Sequence, residues 1–187
     1  MLLWGKTPCR GLKIYCMAGN VRTQLRLYLR VGYGSGVYNI HRKERVILMN
    51  TYDLKRFLRK QEYDYPVALR EIRAGHKQSH WIWYIFPQLK GLGTSDYANF
   101  FGIEDADEAR AYLEHPVLGA RLIEITEALL QLESSDPAEV MGGYPDDMKL
   151  NSCMTLFASV SEEGSVFQKV LDKFFGGKMD GKTLAKL

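Results

Sequence analysis

The sequence predicts an all-α fold: a single compact multihelical domain over 49–187, preceded by a basic extension over 1–48 that lies outside the core. Apolar residues recur at helical spacing through most of the chain after Met49, and capping residues, prolines and glycines bound these runs. No pair of alternating runs flanks an Asn-Gly or Asp-Gly turn, so hairpins are not expected. With 187 residues, 46% of them hydrophobic, the chain can bury a real core.

The helices are predicted from their start and stop signals. In chain order they are a helix over 53–60, a helix over 65–74 with Pro66 in its first turn, one capped by Asp105 with Glu108, the longest opened by Pro116, one from Asp136 to Gly142, one from Pro145 to about Val160, one from Ser165 to Gly176, and a short final one capped by Asp180. The longest carries an apolar stripe at steps of three and four residues, formed by Leu118, Leu122, Ile125, Leu129 and Leu132.

The extension over 1–48 differs sharply in charge from the rest of the chain. It holds nine Lys and Arg against one acid, Glu44, for a net charge of +8, whereas the remaining 139 residues hold 16 basic and 21 acidic side chains, for −5. Three interpretations stay open: a misassigned start with Met49 as the initiator, a mitochondrial-type presequence, or a functional basic arm. Because the domain itself is mildly acidic, we do not expect it to bind nucleic acid.

Composition and motifs exclude several classes of protein. No apolar run approaches the roughly 18 residues of a membrane span, so no membrane association is expected. Three cysteines do not form a disulfide framework and suit a reducing compartment, which predicts a cytoplasmic protein, or an imported one if the extension is a presequence. His76 and His80 have the spacing of a helical metal pair but lack a third ligand, so neither a metal nor a cofactor is expected.

An aromatic segment over 79–88 is the first candidate for chemistry. It places two Trp, one Tyr and one Phe within six residues, next to His80. If the segment is helical, His80 and Trp83 share one face and Trp81 lies on another. An aromatic core explains most of these residues, and a stacking wall for a planar ligand is the functional alternative. On the second reading His80 is an acid, a base or a hydrogen-bond donor. The ligand-binding residues predicted here are Lys77, Trp81, Trp83 and Gln88.

A polar stripe on the predicted helix after Pro145 is the second candidate. Asp147, Asn151 and Thr155 are spaced four residues apart, with Ser152 beside them, on a helix that is otherwise apolar nearly all round. Buried polar groups need partners, so we expect this helix to pack against the aromatic segment with His80 within polar reach of the stripe. His80 and Asp147 are the predicted catalytic pair, and Asn151, Ser152 and Thr155 the predicted ligand contacts. Lys149 would hold an anionic group, or is simply a surface lysine.

Four stretches of the chain are similar to a known family. They are Gly75-x-Lys77-x-Ser79-His80-Trp81-x-Trp83-x-Ile85-Phe86-Pro87-Gln88-Leu89-x-Gly91-Leu92-Gly93, then Glu108-Ala109-x-x-Tyr112-Leu113-x-His115-Pro116-x-Leu118-Gly119-x-Arg121-Leu122, then Asp146-Asp147-x-Lys149-x-x-Ser152-x-Met154-Thr155-Leu156-Phe157, and Phe174-Phe175-x-Gly177-x-x-Asp180-x-x-Thr183-Leu184. On these motifs residues 50–187 resemble the domain of unknown function 1810 family of small all-helical proteins. The resemblance implies one multihelical domain and brings no established activity.

This sequence departs from the family pattern at two positions. Cys153 stands where serine is common, which argues against a cysteine nucleophile, and His76 stands where a basic residue is common, which argues against the metal pair. Some family members are labelled calpastatin. That label fits poorly, because calpain inhibition uses extended disordered repeats, and this sequence shows no repeat.

Two hypotheses from different classes follow. The first is a small-molecule binder or hydrolase whose ligand is planar and polar, of nucleotide or ribose type, because Trp rings stack and Asp and Asn bind hydroxyls. The second is a non-enzymatic protein-interaction module with its aromatic residues on the surface. Aromatic residues that line a concave site with His80 and Asp147 would favour the first hypothesis, and a flat exposed patch would favour the second.

Overall fold

A computed structural model describes residues 52–187. Within this range the chain forms helices and no strand, apart from an isolated bridge between Leu89 and Ile103. In chain order the helices are α1 (Lys55–Arg73), α2 (Ile82–Ile85), α3 (Asp96–Phe100), α4 (Ala106–Glu114), α5 (Leu118–Leu130), α6 (Pro137–Met141), α7 (Asp146–Ser159), α8 (Val166–Phe175) and α9 (Gly181–Leu184). The all-helical prediction is therefore confirmed. The predicted extension over 1–48 lies outside the described residues.

The first two predicted helices, over 53–60 and 65–74, are a single helix. α1 runs 19 residues with Pro66 in its interior, which makes it, and not the helix after Pro116, the longest of those described. A proline inside a helix costs about 3 kcal/mol, yet one buried face continues through it. Gln61 in that face donates from Nε2 to the carbonyl of Tyr84 at 2.7 Å and to Oη of Tyr112 at 2.8 Å. Tertiary packing and these buried hydrogen bonds therefore override the local stop signal.

The aromatic segment is less helical than predicted. Only the single turn of α2 is helical, and His80 and Trp81 precede it in a bend and a cap position. The prediction also missed α3, which begins at an N-cap where Ser95 accepts a hydrogen bond from the backbone N–H of Ala98. The face-sharing expected of a continuous helix through His80 and Trp83 therefore does not apply.

Most of the other predicted boundaries are confirmed by their caps. Asp105, Asp136, Ser165 and Asp180 each accept a hydrogen bond from a backbone N–H in the first turn of α4, α6, α8 and α9. α6 and α8 end at glycines in the left-handed region. These signals are local in sequence, which explains why they could be read without the fold.

α7 lies at the centre of the packing. It contacts α2, α4, α6, α8 and α9, and eight consecutive residues from Leu150 to Phe157 are buried. The ring of Phe157 packs against Tyr112 of α4 at 5.5 Å and Phe167 of α8 at 5.6 Å between centroids. A central buried helix brings side chains from five surrounding elements to one place. None of the described helices has the length and apolar character needed to cross a membrane.

Candidate functional site

A charged cluster joins the loop after α1 to the first turn of α7. One carboxylate, Asp146, binds two lysines: its Oδ2 lies 2.6 Å from Nζ of Lys77, and its Oδ1 lies 2.8 Å from Nζ of Lys149. The side chain of Lys77 is only 6% exposed and that of Lys149 is 19% exposed. Burial raises the pKa of Asp146, but the hydrogen bonds from Lys149 and Lys77 outweigh it and hold that pKa below its usual value. We call Lys77, Asp146 and Lys149 the lysine cluster.

The end of α6 positions Lys77. The backbone N–H of Lys77 donates to the carbonyl of Val140 at 2.8 Å. Gly142 ends α6 with φ of 78°, and a Cβ at this position would lie 3.2 Å from the carbonyl oxygen of Lys77. Glycine therefore serves both the left-handed turn and the close approach of the two chains. α6 holds the backbone of Lys77 while Asp146 holds its ammonium group.

Glu71, near the end of α1, organises the start of the aromatic segment. Its Oε2 accepts hydrogen bonds from the backbone N–H groups of Gln78 and Ser79 at 2.9 and 3.0 Å and from the indole N–H of Trp81 at 2.7 Å, and its Oε1 accepts from the Ser79 hydroxyl. Burial raises the pKa of Glu71, but these hydrogen bonds outweigh it and bring the pKa down to about 2. Glu71 is not among the residues predicted from the sequence. The sequence feature that could have indicated it is an acid on a buried helix face. Glu71 comes three residues after Ala68 and directly before Ile72, and both of these neighbours are 0% exposed on the same helix.

The two tryptophans of the aromatic segment have different environments. Trp81 is 1% exposed, its indole N–H is bound to Glu71, and Nζ of Lys77 lies 5.1 Å from its ring. Trp83 is half-buried, with Nζ of Lys149 at 4.6 Å from its ring and the ring of Tyr97 at 5.3 Å between centroids. Because Trp81 is enclosed, a ligand that stacks on a tryptophan here would have to use Trp83.

The polar stripe of α7 contacts the C-terminal segment. Ser152 donates to Oδ2 of Asp180 at 3.0 Å, and Oγ1 of Thr155 accepts from the backbone N–H of Asp180 at 2.8 Å. Thr155 donates in turn to Oδ1 of Asn151 at 3.2 Å. Burial raises the pKa of Asp180, but hydrogen bonds from Thr183 and Ser152 outweigh it and lower that pKa. Ser152 and Thr155 therefore fasten α9 to α7, and the expected contact with His80 is replaced by this one.

His80 and Asp147 do not meet each other. His80 is exposed, its carbonyl accepts from the Tyr84 hydroxyl at 3.1 Å, and between 52 and 187 no hydrogen bond joins its ring to another residue. Asp147 is half-buried, and its Oδ1 is enclosed without a donor. At about 100° per residue, the helix turns Asp147 away from the side of Asp146. The structure thus gives the predicted catalytic pair no common contact.

The remaining candidates have structural surroundings. Gln88 is half-buried, and its backbone carbonyl accepts from the N–H of Ile103 at 3.0 Å. His76 contacts the carbonyl of Glu139 through Nδ1 at 2.9 Å. Cys153 is fully buried, and burial raises the pKa of its thiol well above the usual value, as is typical of a core cysteine on an apolar helix. Within residues 52–187 no three His, Cys, Asp or Glu side chains are grouped as a metal site would require.

A surface groove of about 560 Å³ lies elsewhere, between α1, α5 and α8. It contains none of the candidate catalytic or ligand-binding residues predicted from the sequence. Its lining is Arg73, Glu124, Glu127, Ala128, Leu130, Gln131, Leu132, Val166 and Lys169. Both signs of charge occur at its rim, so it has no preference for one sign of ligand.

These features define an all-helical domain in which a buried central helix and a loop share one charged and aromatic cluster. The family model described as "Protein of unknown function (DUF1810)" matches residues 51–187, and the chain belongs to that family. The chain is also similar to the conserved hypothetical protein Rv1873 from Mycobacterium tuberculosis, whose crystal structure was solved at 1.38 Å. The two are 44% identical with a TM-score of 0.71, over 73% of this chain and 97% of that one. A comparison with curated proteins found no match.

Proposed function

We propose that the protein binds a small planar anion of nucleotide type at the lysine cluster, beside Trp83. The observation that carries the proposal is the charge of the cluster: two partly buried lysines share one carboxylate, Asp146. Counted over these three side chains, one positive charge is left over where little water reaches, and a buried charge without its own counterion is costly. An anionic ligand group would supply the missing negative charge.

Trp83 supports the planar part of the ligand. It is the more accessible of the two tryptophans in the segment, and its ring lies next to Lys149. A nucleobase on the ring with its phosphate at the lysines would use both features in one molecule.

The proposal is for binding and does not extend to hydrolysis. General acid–base catalysis needs groups within hydrogen-bond reach of one reacting centre, and His80 and Asp147 share no contact in the described structure. A catalytic role for this pair would require the ligand itself to bridge them. A cytoplasmic location for the binding reaction remains the prediction made from the cysteines.

The test is calorimetric titration of the full-length protein with AMP and with adenosine, after a thermal-shift screen that includes ADP-ribose. We expect AMP to bind and adenosine to bind at least tenfold more weakly, since adenosine lacks the anion. Lys149→Met should weaken AMP binding by about tenfold or more, which is about 1.4 kcal/mol. The matched control is Lys169→Met, which removes an exposed lysine of the groove and should leave AMP binding unchanged. Equal binding of AMP and adenosine, or equal losses in both variants, would contradict the proposal.

A second candidate function rests on exposed aromatic rings. Tyr97 is 49% exposed and Phe100 is 61% exposed, and both lie on α3, next to Trp83 and Phe101. Such a surface suits a protein-interaction module. If neither AMP nor ADP-ribose changes the melting temperature of the full-length protein, this surface becomes the better candidate.

A further inference from the structure

We infer that Asp146 is an internal competitor for the ligand's anionic group: the ligand takes Lys149 from Asp146, while Lys77 stays bound to it. The inference rests on the proposed function and adds to it a mechanism of selection. In the free protein the carboxylate of Asp146 would then occupy the anion site. A ligand would bind only if its anionic group competes with that carboxylate.

The two lysines are not equivalent, and their difference predicts which of them leaves Asp146 for the ligand. Lys77 is held at its backbone by Val140 and at its ammonium group by Asp146, and it lies beside the enclosed ring of Trp81. Lys149 is three times as exposed, and it binds Asp146 three residues away on the same helix. An i, i+3 pair between partly exposed side chains is a weak interaction that can be exchanged at little cost.

Movement of Lys149 would also uncover the ring of Trp83. Its ammonium group lies 4.6 Å from the ring centroid, so it covers part of the surface on which a planar ligand would stack. A ligand anion that draws Lys149 away from Asp146 also removes it from this ring. Charge recognition and stacking would thus be coupled through one side chain, which makes Lys149 the residue that determines specificity for an anion on a planar group.

The decisive variant is Asp146→Asn, which removes the competing charge and leaves both lysines in place. Competition predicts that this variant binds AMP about tenfold more tightly than the wild type, because the anion then faces two lysines without a carboxylate between them. Inorganic phosphate alone should also gain affinity, whereas adenosine should not. Glu127→Gln removes the same charge from the groove of α1, α5 and α8 and should leave AMP affinity within about twofold.

A measurement on the wild-type protein covers the case in which Asp146→Asn does not fold. The carboxyl carbon of Asp146 is titrated by NMR with and without AMP. Loss of Lys149 and the arrival of a second anion should both raise the Asp146 pKa, so an upward shift on adding AMP is expected. An unchanged or lowered pKa would overturn the inference.

The outcomes separate the two proposals. If the wild type binds AMP and a folded Asp146→Asn variant binds it equally or more weakly, the competition is overturned and the proposed function stands. If neither the wild type nor the variant binds AMP or phosphate, the proposed function falls and the inference falls with it. Tighter binding by the variant supports both.

Discussion

Replacement of Glu71 by glutamine should be among the most damaging single changes near the site. The pKa of Glu71 is about 2, against 4.5 for an ordinary glutamate. At 1.36 kcal/mol for each pKa unit this difference corresponds to roughly 3 kcal/mol of stability at neutral pH. The hydrogen bonds point the same way, because glutamine keeps only one acceptor oxygen and cannot retain all four hydrogen bonds that the carboxylate accepts, at about 1–3 kcal/mol for each buried group left unpaired.

Urea unfolding of the wild type and of Glu71→Gln, from pH 7 down to pH 3, measures this effect. A carboxylate with a lowered folded pKa contributes fully above its unfolded pKa, and the contribution is lost as the pH falls through the folded pKa. The difference in unfolding free energy should therefore be about 3 kcal/mol at pH 7 and shrink as the pH falls from about 4.5 toward 2. Glu62→Gln, on an exposed position of the same helix, is the control and should change stability by less than about 0.5 kcal/mol. A loss below about 1 kcal/mol for Glu71→Gln, or a difference that does not depend on pH, would refute this reasoning.

Four further changes give distinct outcomes in the same unfolding assay or in thermal melts. Lys173→Met should lower the unfolding free energy by about 1–2 kcal/mol, because Nζ of Lys173 donates to three carbonyls at the end of α5. Asp180→Ala should cost about 2–3 kcal/mol and speed amide exchange in α9, since it removes the cap of that helix and the acceptor through which Ser152 links α7 to α9. Asp147→Ala should change stability by less than about 1 kcal/mol or raise it, because its enclosed Oδ1 has no donor. Deleting residues 1–48 should shift the melting temperature by no more than a few degrees, because the caps and apolar faces begin after Met49.

Each of these predictions has a result that would contradict it. An Asp180→Ala variant with unchanged exchange in α9 would show that the hydrogen bonds to α7 do not hold the helix. A large loss from Asp147→Ala would mean that this carboxylate has a structural partner. A much lower melting temperature without residues 1–48 would show that the extension stabilises the domain. The control for Lys173→Met is Lys169→Met, which replaces an exposed lysine of the same helix. Equal losses of stability in the two variants would show that the hydrogen bonds from Lys173 to the end of α5 do not stabilise the fold.

Features local in sequence were predictable, and features set by distant partners were not. The caps at Asp105, Asp136 and Ser165 each act on a backbone N–H two or three residues away, so the sequence contains both partners together. The strong local signal of Pro66 predicts a helix start, whereas the burial that carries α1 through it comes from residues far along the chain. Tertiary packing decided that case.

The candidate site shows the same division. The sequence suggested that the aromatic segment and α7 pack together, and the lysine cluster with Trp83 joins these two elements. It could not show that Asp180, about 25 residues beyond the polar stripe, is the partner of Ser152 and Thr155. The sequence also could not show that Trp81 is enclosed whereas Trp83 is accessible. This difference in exposure depends on the position of Glu71 in the fold.

The most direct test of ligand binding at the lysine cluster is an AMP titration of the full-length protein, followed by the indole N–H signals in NMR spectra. Trp83→Phe assigns the signal of Trp83. Binding at the cluster predicts that this signal moves progressively and saturates, while the signal of Trp81, whose N–H is bound to Glu71 in the core, stays nearly in place. A titration that leaves the Trp83 signal unmoved, or one that moves it equally with adenosine, would contradict the account.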